Sequence, residues 1–96
     1  MKREDFIFTV GYEGNTAIVD GGSARKLGKL TSRELAERGH YRNAFRAAIF
    51  DGPESVEELR SYLRDHTSIG DKTAAELKRL FGVFEVRDDV TKVQRV

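Results

Sequence analysis

The stretch Ile69–Thr73 combines residue types that bind a phosphate group through the backbone. Gly70 lies between two stretches of helical periodicity, where the chain must reverse tightly and a Cβ would interfere. A helix that begins just after Gly70 would direct its unpaired N–H groups and its positive dipole end outward, which makes an anion site. Lys72 and Thr73, in the first turn of that helix, would add a charge and a hydroxyl. The stretch therefore predicts phosphate binding.

The residues that follow Gly70 resemble the second half of a helix-hairpin-helix motif, a DNA-binding element that does not read sequence. In that family Ile-Gly ends the hairpin, a small residue follows four positions later and an aliphatic one seven later, and Phe-Gly often closes the helix. Ala74, Leu77 and Phe81-Gly82 stand at those offsets. The resemblance covers about residues 56–82 and implies contacts with the phosphate backbone. The residues it assigns to these contacts are Ile69, Gly70, Asp71, Lys72, Thr73, Lys78 and Arg79.

An ordinary helical turn is the alternative interpretation of the same residues. Ser68 stands where the family usually has a further Gly, and Asp71 places a negative charge in the turn. In this interpretation Ser68 caps the helix, Asp71 interacts favourably with the dipole, and Gly82 ends the helix.

Size and composition favour one small α+β domain spanning residues 1–96. Charged residues make up 34% and apolar residues 39% of the chain, which is a soluble globular balance. The chain has no cysteine, so disulfides, thiolate nucleophiles and cysteine-based zinc sites are excluded. It has neither a membrane-spanning apolar run nor a signal-peptide core, and we expect a cytoplasmic protein without membrane partners.

The net charge of +1 is unevenly distributed along the chain. Residues 24–46 contain seven basic and two acidic side chains, whereas residues 47–70 contain two basic and five acidic ones. The basic segment 25–46 is either a surface that attracts polyanions or a solvated helical face that pairs with the acidic segment after it.

Local patterns predict an N-terminal β-hairpin over residues 6–20. Residues 6–10 form its first strand, residues 11–15 its loop and residues 16–20 its second strand. The glycine-flanked basic stretch 21–29 has no period and predicts a flexible connection.

About four short helices are predicted in the helical part, residues 31–82. Capping boxes at Thr31–Glu34 and Ser55–Glu58 begin two of them, a third spans about residues 41–50, and the last follows Gly70. The pair over residues 31–49 also has features of a helix-turn-helix reader with Arg42, Asn43 and Arg46 on its second helix, although a core-filling helical hairpin explains the pattern more simply. Residues 83–87 predict a C-terminal strand that joins the hairpin, followed by a tail that either pairs weakly or frays.

No catalytic constellation is visible, and we expect no enzyme activity, no cofactor and no metal. His40 and His66 both lie at helix junctions outside any ligand spacing. The favoured partner is nucleic acid, DNA or RNA. A lone copy of the motif binds weakly, so an auxiliary domain or a homo-oligomer would then be needed. The rival is a protein-interaction or structural domain with an exposed apolar patch around Phe6, Tyr12 or Phe84.

Overall fold

The computed structural model describes residues 1–83 and 85–96, which form six helices and three strands. In chain order these are α1 (Arg3–Ile7), β1 (Thr9–Glu13), β2 (Thr16–Val19), α2 (Gly21–Leu27), α3 (Ser32–Glu37), α4 (Tyr41–Asp51), α5 (Pro53–His66), α6 (Ala74–Phe81) and β3 (Lys92–Arg95). The expected α+β class, with an N-terminal hairpin and a C-terminal strand, is confirmed. None of the helices built by the described residues is long and apolar enough to cross a membrane.

The sheet has the strand order β1-β2-β3. β1 and β2 are antiparallel and Glu13 pairs with Thr16, so the hairpin turns over Gly14 and Asn15 alone, with Gly14 at a φ of 57°. The predicted five-residue loop was too long because Gly11 and Tyr12 pair as strand residues. Val10 is an extra residue between the paired Thr9 and Gly11, and this bulge leaves it exposed.

β3 lies parallel to β2, and Val93 pairs with Ala17. The strand predicted over residues 83–87 is not formed at residues 83 and 85–87, and Phe84 lies outside the described residues. The sheet is instead completed by the tail, for which pairing and fraying were both open.

Helix α4 occupies the centre of the helical layer and contacts α1, α3 and α5. Four residues of this helix have no exposed surface: Ala44, Phe45, Ala47 and Ala48. The buried surface of α4 is therefore wider than the single apolar face of an amphipathic helix. Alanine lets neighbouring backbones approach closely, while the ring of Phe45 reaches that of Phe81 in α6, with centroids 5.7 Å apart. The core therefore joins α4, in the first half of the chain, to α6, the helix that follows Gly70.

The first strand of the predicted hairpin was placed too early. Phe6 and Ile7 belong to α1, and together with Phe8 they are buried. A short apolar run is compatible with a buried strand or a buried helix, and periodicity alone does not separate the two. Contacts with α4, including the Phe6–Phe50 ring pair at 6.0 Å, favour the helix here.

The predicted flexible connection 21–29 is wrong, because residues 21–27 form α2. The Asp20 carboxylate caps this helix by accepting hydrogen bonds from the Ser23 amide at 3.2 Å and the Ser23 hydroxyl at 2.8 Å. At Gly28 a Cβ would lie 2.5 Å from the Cβ of Glu4, so glycine permits the close approach of α2 to α1.

The remaining helix predictions are mostly confirmed. The Thr31–Glu34 capping box and α4 stand as predicted. The box at Ser55–Glu58 does not form, because α5 begins at Pro53, three residues before the predicted start, after Gly52 at a φ of 122°. Proline suits the first helical position, since its missing N–H would have no partner there.

We expect Arg95→Ala to lower the free energy of unfolding by about 1–3 kcal/mol. The Nε and Nη2 atoms of Arg95 donate to one oxygen of the buried Asp5 carboxylate at 3.0 and 2.8 Å, and this pair fastens β3 to α1. Urea denaturation measures the effect, with Lys92→Ala on the same strand as the control. Equal midpoints for the two variants would contradict this role for the ion pair.

Candidate phosphate-binding turn

Helix α5 ends at His66 and is closed by Thr67. The amide and the hydroxyl of Thr67 both donate to the carbonyl of Leu63, at 2.8 and 2.7 Å. The same hydroxyl oxygen accepts a hydrogen bond from the Ile69 amide at 3.3 Å. Thr67 therefore sets the direction in which the chain leaves α5.

Gly70 packs directly against the backbone of α5 and is buried. A Cβ at this position would lie 1.9 Å from both Cα and N of Arg64 and 2.3 Å from the carbonyl carbon of Leu63. Helix backbone cannot yield as a flexible side chain can. The requirement for glycine predicted here is thus met, and its reason is the close approach of turn and helix.

Arg60 stabilises the end of the turn at Lys72, a role that the sequence analysis missed. Its Nε donates to the carbonyl of Lys72 at 3.1 Å, and the Lys72 amide donates to the carbonyl of Ile69 at 3.3 Å. A hydrogen bond from a helix to a carbonyl twelve residues later has no local sequence signal.

Helix α6 begins at Ala74, later than predicted. Thr73 is its N-cap: the Thr73 hydroxyl accepts from the Glu76 amide at 3.2 Å, and the Thr73 amide donates to the Glu76 carboxylate at 3.0 Å. Lys72 and Thr73 thus precede the first helical turn, and Ser68 is not the cap that the alternative interpretation required. Gly82 ends the helix in the left-handed region, as expected.

The capping box changes what Thr73 can offer a ligand. Its hydroxyl oxygen accepts from the Glu76 amide, and the hydroxyl hydrogen bond that lowers the pKa of Glu76 uses its O–H hydrogen. Its amide is occupied by Glu76.

Several amides of the turn have no acceptor among the described residues. They belong to Ser68, Gly70 and Asp71 in the turn, and to Ala74 and Ala75 at the beginning of α6. Ser68, Asp71 and Ala75 are exposed residues, Ala74 is half-buried, and Gly70 is covered. The accessible unpaired amides therefore lie on both sides of the cap, rather than at Gly70 itself.

The charged side chains of the site divide into two groups. Lys72 is half-buried and Arg79 is exposed, and neither makes an ion pair within the described part of the chain. Lys78 is paired with Glu85, which neutralises its charge. Arg64 is an exposed cation that the sequence analysis missed, and its backbone lies directly beneath Gly70.

Acidic side chains also belong to this region. Asp71 is exposed in the turn. The pKa of Glu76 is lowered, first by the hydrogen bond from the Thr73 amide, then by that with the Thr73 hydroxyl, and further by the charges of Lys72 and Arg79. Glu76 thus remains ionised at neutral pH and partly offsets the nearby cations.

The basic segment 25–46 does not pair with the acidic segment after it. Among residues 1–83 and 85–96, none of its seven cations forms an ion pair, and the two paired acidic residues of the later segment, Asp51 and Glu57, are held by Arg3 and Arg60. Arg33 instead lies over the ring of Tyr62, 5.4 Å from its centre. Of the two interpretations of this segment, the ion-paired face is therefore wrong.

The apolar patch expected by the rival interpretation is not formed by Phe6, which is buried. Tyr12 is 38% exposed, but the guanidinium of Arg87 lies 4.4 Å from its ring centre. Phe84 lies outside the described residues.

Histidine and carboxylate positions show no metal site. Nδ1 of His66 is 2.9 Å from the carbonyl of Tyr62. No cluster of three or more histidine and carboxylate side chains suited to a metal ion occurs in the described ranges.

No protein-family model, curated protein or solved structure matches this chain. Function must therefore be argued from the geometry of the site.

We expect Gly70→Ala to destabilise the protein by at least about 3 kcal/mol, because the new methyl group overlaps backbone atoms of α5. Gly82→Ala is the matched control. Gly82 has a φ of 65° with open space around it, so alanine there costs only about 1 kcal/mol of backbone strain. Urea denaturation compares the two, and equal losses of stability would contradict the close approach at Gly70.

We expect the free energy of unfolding of Glu76→Gln to fall less steeply than that of the parent protein as the pH is lowered into the acid range. A carboxylate with a lowered pKa stabilises the folded state above its unfolded-state value, near 4.5, and loses this contribution as the pH falls through the folded pKa. Urea midpoints measured between neutral pH and the acid limb test this. A variant that loses stability on acidification as steeply as the parent protein would contradict it.

Proposed function

We propose that the segment between α5 and α6 binds the phosphate backbone of nucleic acid without reading base sequence. The observation that carries this proposal is the set of amides at Ser68, Asp71, Ala74 and Ala75, all exposed or half-buried residues, that have no acceptor among the described residues. Amides of this kind at the beginning of a helix favour anions, and the helix dipole adds to the effect.

Cations beside these amides support the same function. Lys72 and Arg79 can each approach a phosphate oxygen. Arg64 is also exposed, and its backbone lies directly beneath Gly70 in the same turn. Lys78 contributes little charge because Glu85 neutralises it. Asp71 and the ionised Glu76 oppose binding, so we expect moderate affinity from this turn alone.

The role of each residue in this proposal follows from its contacts. Gly70 allows the turn to lie on α5, and Ile69, half-buried against the core, anchors it. Asp71 and the residues after Thr73 supply amides, while Thr73 caps the helix and so sets where these amides begin. Lys72 and Arg79 supply charge.

Weak binding by one turn implies further contacts with the same polyanion. Arg25, Lys26 and Lys29 are exposed and make no ion pair with any described residue. They are further cations with which the protein could contact a polyanion, and a second copy of the chain or an auxiliary domain would supply a second turn. A cysteine-free nucleic-acid-binding chain is consistent with the cytoplasm.

The rival protein-interaction function loses one of its three proposed contact residues, since Phe6 belongs to the core. It remains testable in the same experiment, because a protein-interaction domain shows no salt-dependent affinity for nucleic acid.

Fluorescence anisotropy with short DNA and RNA, each single-stranded and duplex, tests the proposal over about 50 to 200 mM salt. We expect binding that weakens with salt and is equal for two duplexes of unrelated sequence. Lys72→Glu and Arg79→Glu should each weaken binding to all sequences and reduce the salt slope by about one.

Lys92→Glu is the charge-matched control, because Lys92 is exposed on β3 and makes no ion pair among the described residues. A substitution of Gly70 would not serve, since it disturbs folding before it disturbs binding. Equal affinities for Lys72→Glu, Arg79→Glu and the parent protein would refute the proposed surface.

A further inference from the structure

A polar cleft, separate from the turn between α5 and α6, lies between the bulge of β1, the beginning of α2 and the exposed side of α4. Its volume is about 190 Å³, room for about six water molecules. The polar side chains that line it include Asp20, Ser23, Arg42, Asn43 and Arg46. It thus collects residues from the basic segment that the turn between α5 and α6 does not use.

Arg46 is half-buried in this cleft and has no carboxylate partner within the described ranges. Its Nη1 donates to the carbonyl of Ile7 at 3.3 Å and to that of Thr9. Its Nε and Nη2 have no acceptor among the described residues. One edge of the guanidinium is therefore held by the backbone, and the other is unoccupied.

Other arginines of this protein bind carboxylates through the edge formed by Nε and Nη2, which is the edge that is unoccupied in Arg46. Arg3, Arg87 and Arg95 each direct Nε and Nη2 at a carboxylate, at distances between 2.7 and 3.0 Å. Such a two-pronged arrangement suits the oxygens of a carboxylate or a phosphate. Arg46 lines this cleft and an adjoining pocket that contains Tyr12 and Glu85, and no carboxylate of the described residues receives the same donors of Arg46.

The surrounding charges leave the cleft positive. Arg42 faces the same cleft, and its charge, after burial itself, lowers the pKa of Arg46. Asp20 is the carboxylate of this cleft, but Ser23 occupies its two oxygens and, with the help of Arg25, lowers its pKa. Two guanidinium groups therefore face one carboxylate, and a half-buried cation without a counter-ion is costly.

We propose that this cleft is a phosphate-binding site, in which Arg46 and Arg42 hold the phosphate oxygens and the side-chain amide of Asn43 donates to them. Phosphate fits better than carboxylate because its oxygens are arranged tetrahedrally and can meet two guanidinium groups from different directions, whereas the two oxygens of a carboxylate lie in one plane. Arg46 gives the bidentate contact, and the exposed Arg42 closes over the ligand from the solvent side. The phosphate belongs either to a small phosphorylated molecule or to a nucleic acid.

This site is independent of the turn between α5 and α6. Substitutions at Lys72 and Arg79 leave its residues untouched, so each of the two proposals can fail without the other. The helix-turn-helix interpretation of α3 and α4 also requires Arg46 to project outward, whereas here Arg46 donates inward to the carbonyls of Ile7 and Thr9.

Titration of the isotope-labelled protein with inorganic phosphate, followed by NMR, tests the cleft. We expect saturable shifts of the Arg46 Nε–H signal and of the Val10, Ser23 and Asn43 amides, with a Kd on the order of 1 mM. Arg42→Ala should weaken binding about fivefold or more. Arg38→Ala, which removes an equally exposed arginine outside the cleft, should leave it unchanged.

Arg46→Lys separates charge from geometry, because lysine keeps the charge and loses the two-pronged edge. We expect weaker phosphate binding in this variant, with folding verified by urea denaturation. Shifts reproduced by chloride at equal ionic strength, or equal losses of affinity in Arg42→Ala and Arg38→Ala, would overturn the site.

Two further titrations identify the source of the phosphate. A nucleoside 5′-monophosphate that binds more tightly than a 5′-hydroxyl oligonucleotide supports the site with a small phosphorylated ligand. The reverse order supports it with a nucleic-acid backbone. The Lys72→Glu protein should give the same phosphate shifts at Arg46 as the parent protein.

Discussion

The close packing around α4 is the constraint on which the rest of the structure depends. Three alanines and one phenylalanine of this helix have no exposed surface, so α1, α3 and α5 can approach its backbone from different sides. Phe45 reaches from α4 to Phe81 and thereby fixes α6 against the core. The other edge of α4 carries Arg42 and Arg46 into the polar cleft. Both proposed anion sites are thus positioned by one helix, and a loss of packing there would disturb both.

Elements with local signals were predicted well from the sequence. The Thr31–Glu34 capping box and the Gly82 cap each act within one helical turn, and each is found in the structure, whereas the box at Ser55–Glu58 gives way to an earlier start at Pro53. Elements held by distant contacts were either missed, as α2 was, or left open between pairing and fraying, as β3 was. α2 depends on its close approach to α1 at Gly28, and β3 depends on a parallel partner more than seventy residues earlier. No short window of sequence contains either partner.

The turn between α5 and α6 shows the same difference between features with local signals and features that depend on distant contacts. The glycine at position 70 and the helix after it follow from spacing, but the beginning of α6 was placed three residues too early. The Thr73–Glu76 pair is itself a capping-box pattern and could have identified the correct start. The support that Arg60 gives to the carbonyl of Lys72, and the partnerless edge of Arg46, depend on side chains meeting across the fold. They become visible only in three dimensions.

The parallel pairing of β3 with β2 has a consequence for synthesis on the ribosome. Strand β2 is made more than seventy residues before its parallel partner, so its second edge has no partner until residues 92–95 emerge. During that interval the hairpin presents an open row of backbone donors and acceptors to other nascent chains. The ion pair between Arg95 and Asp5 joins β3 to α1, so once the parallel pairing has formed it is also tied to the beginning of the described fold.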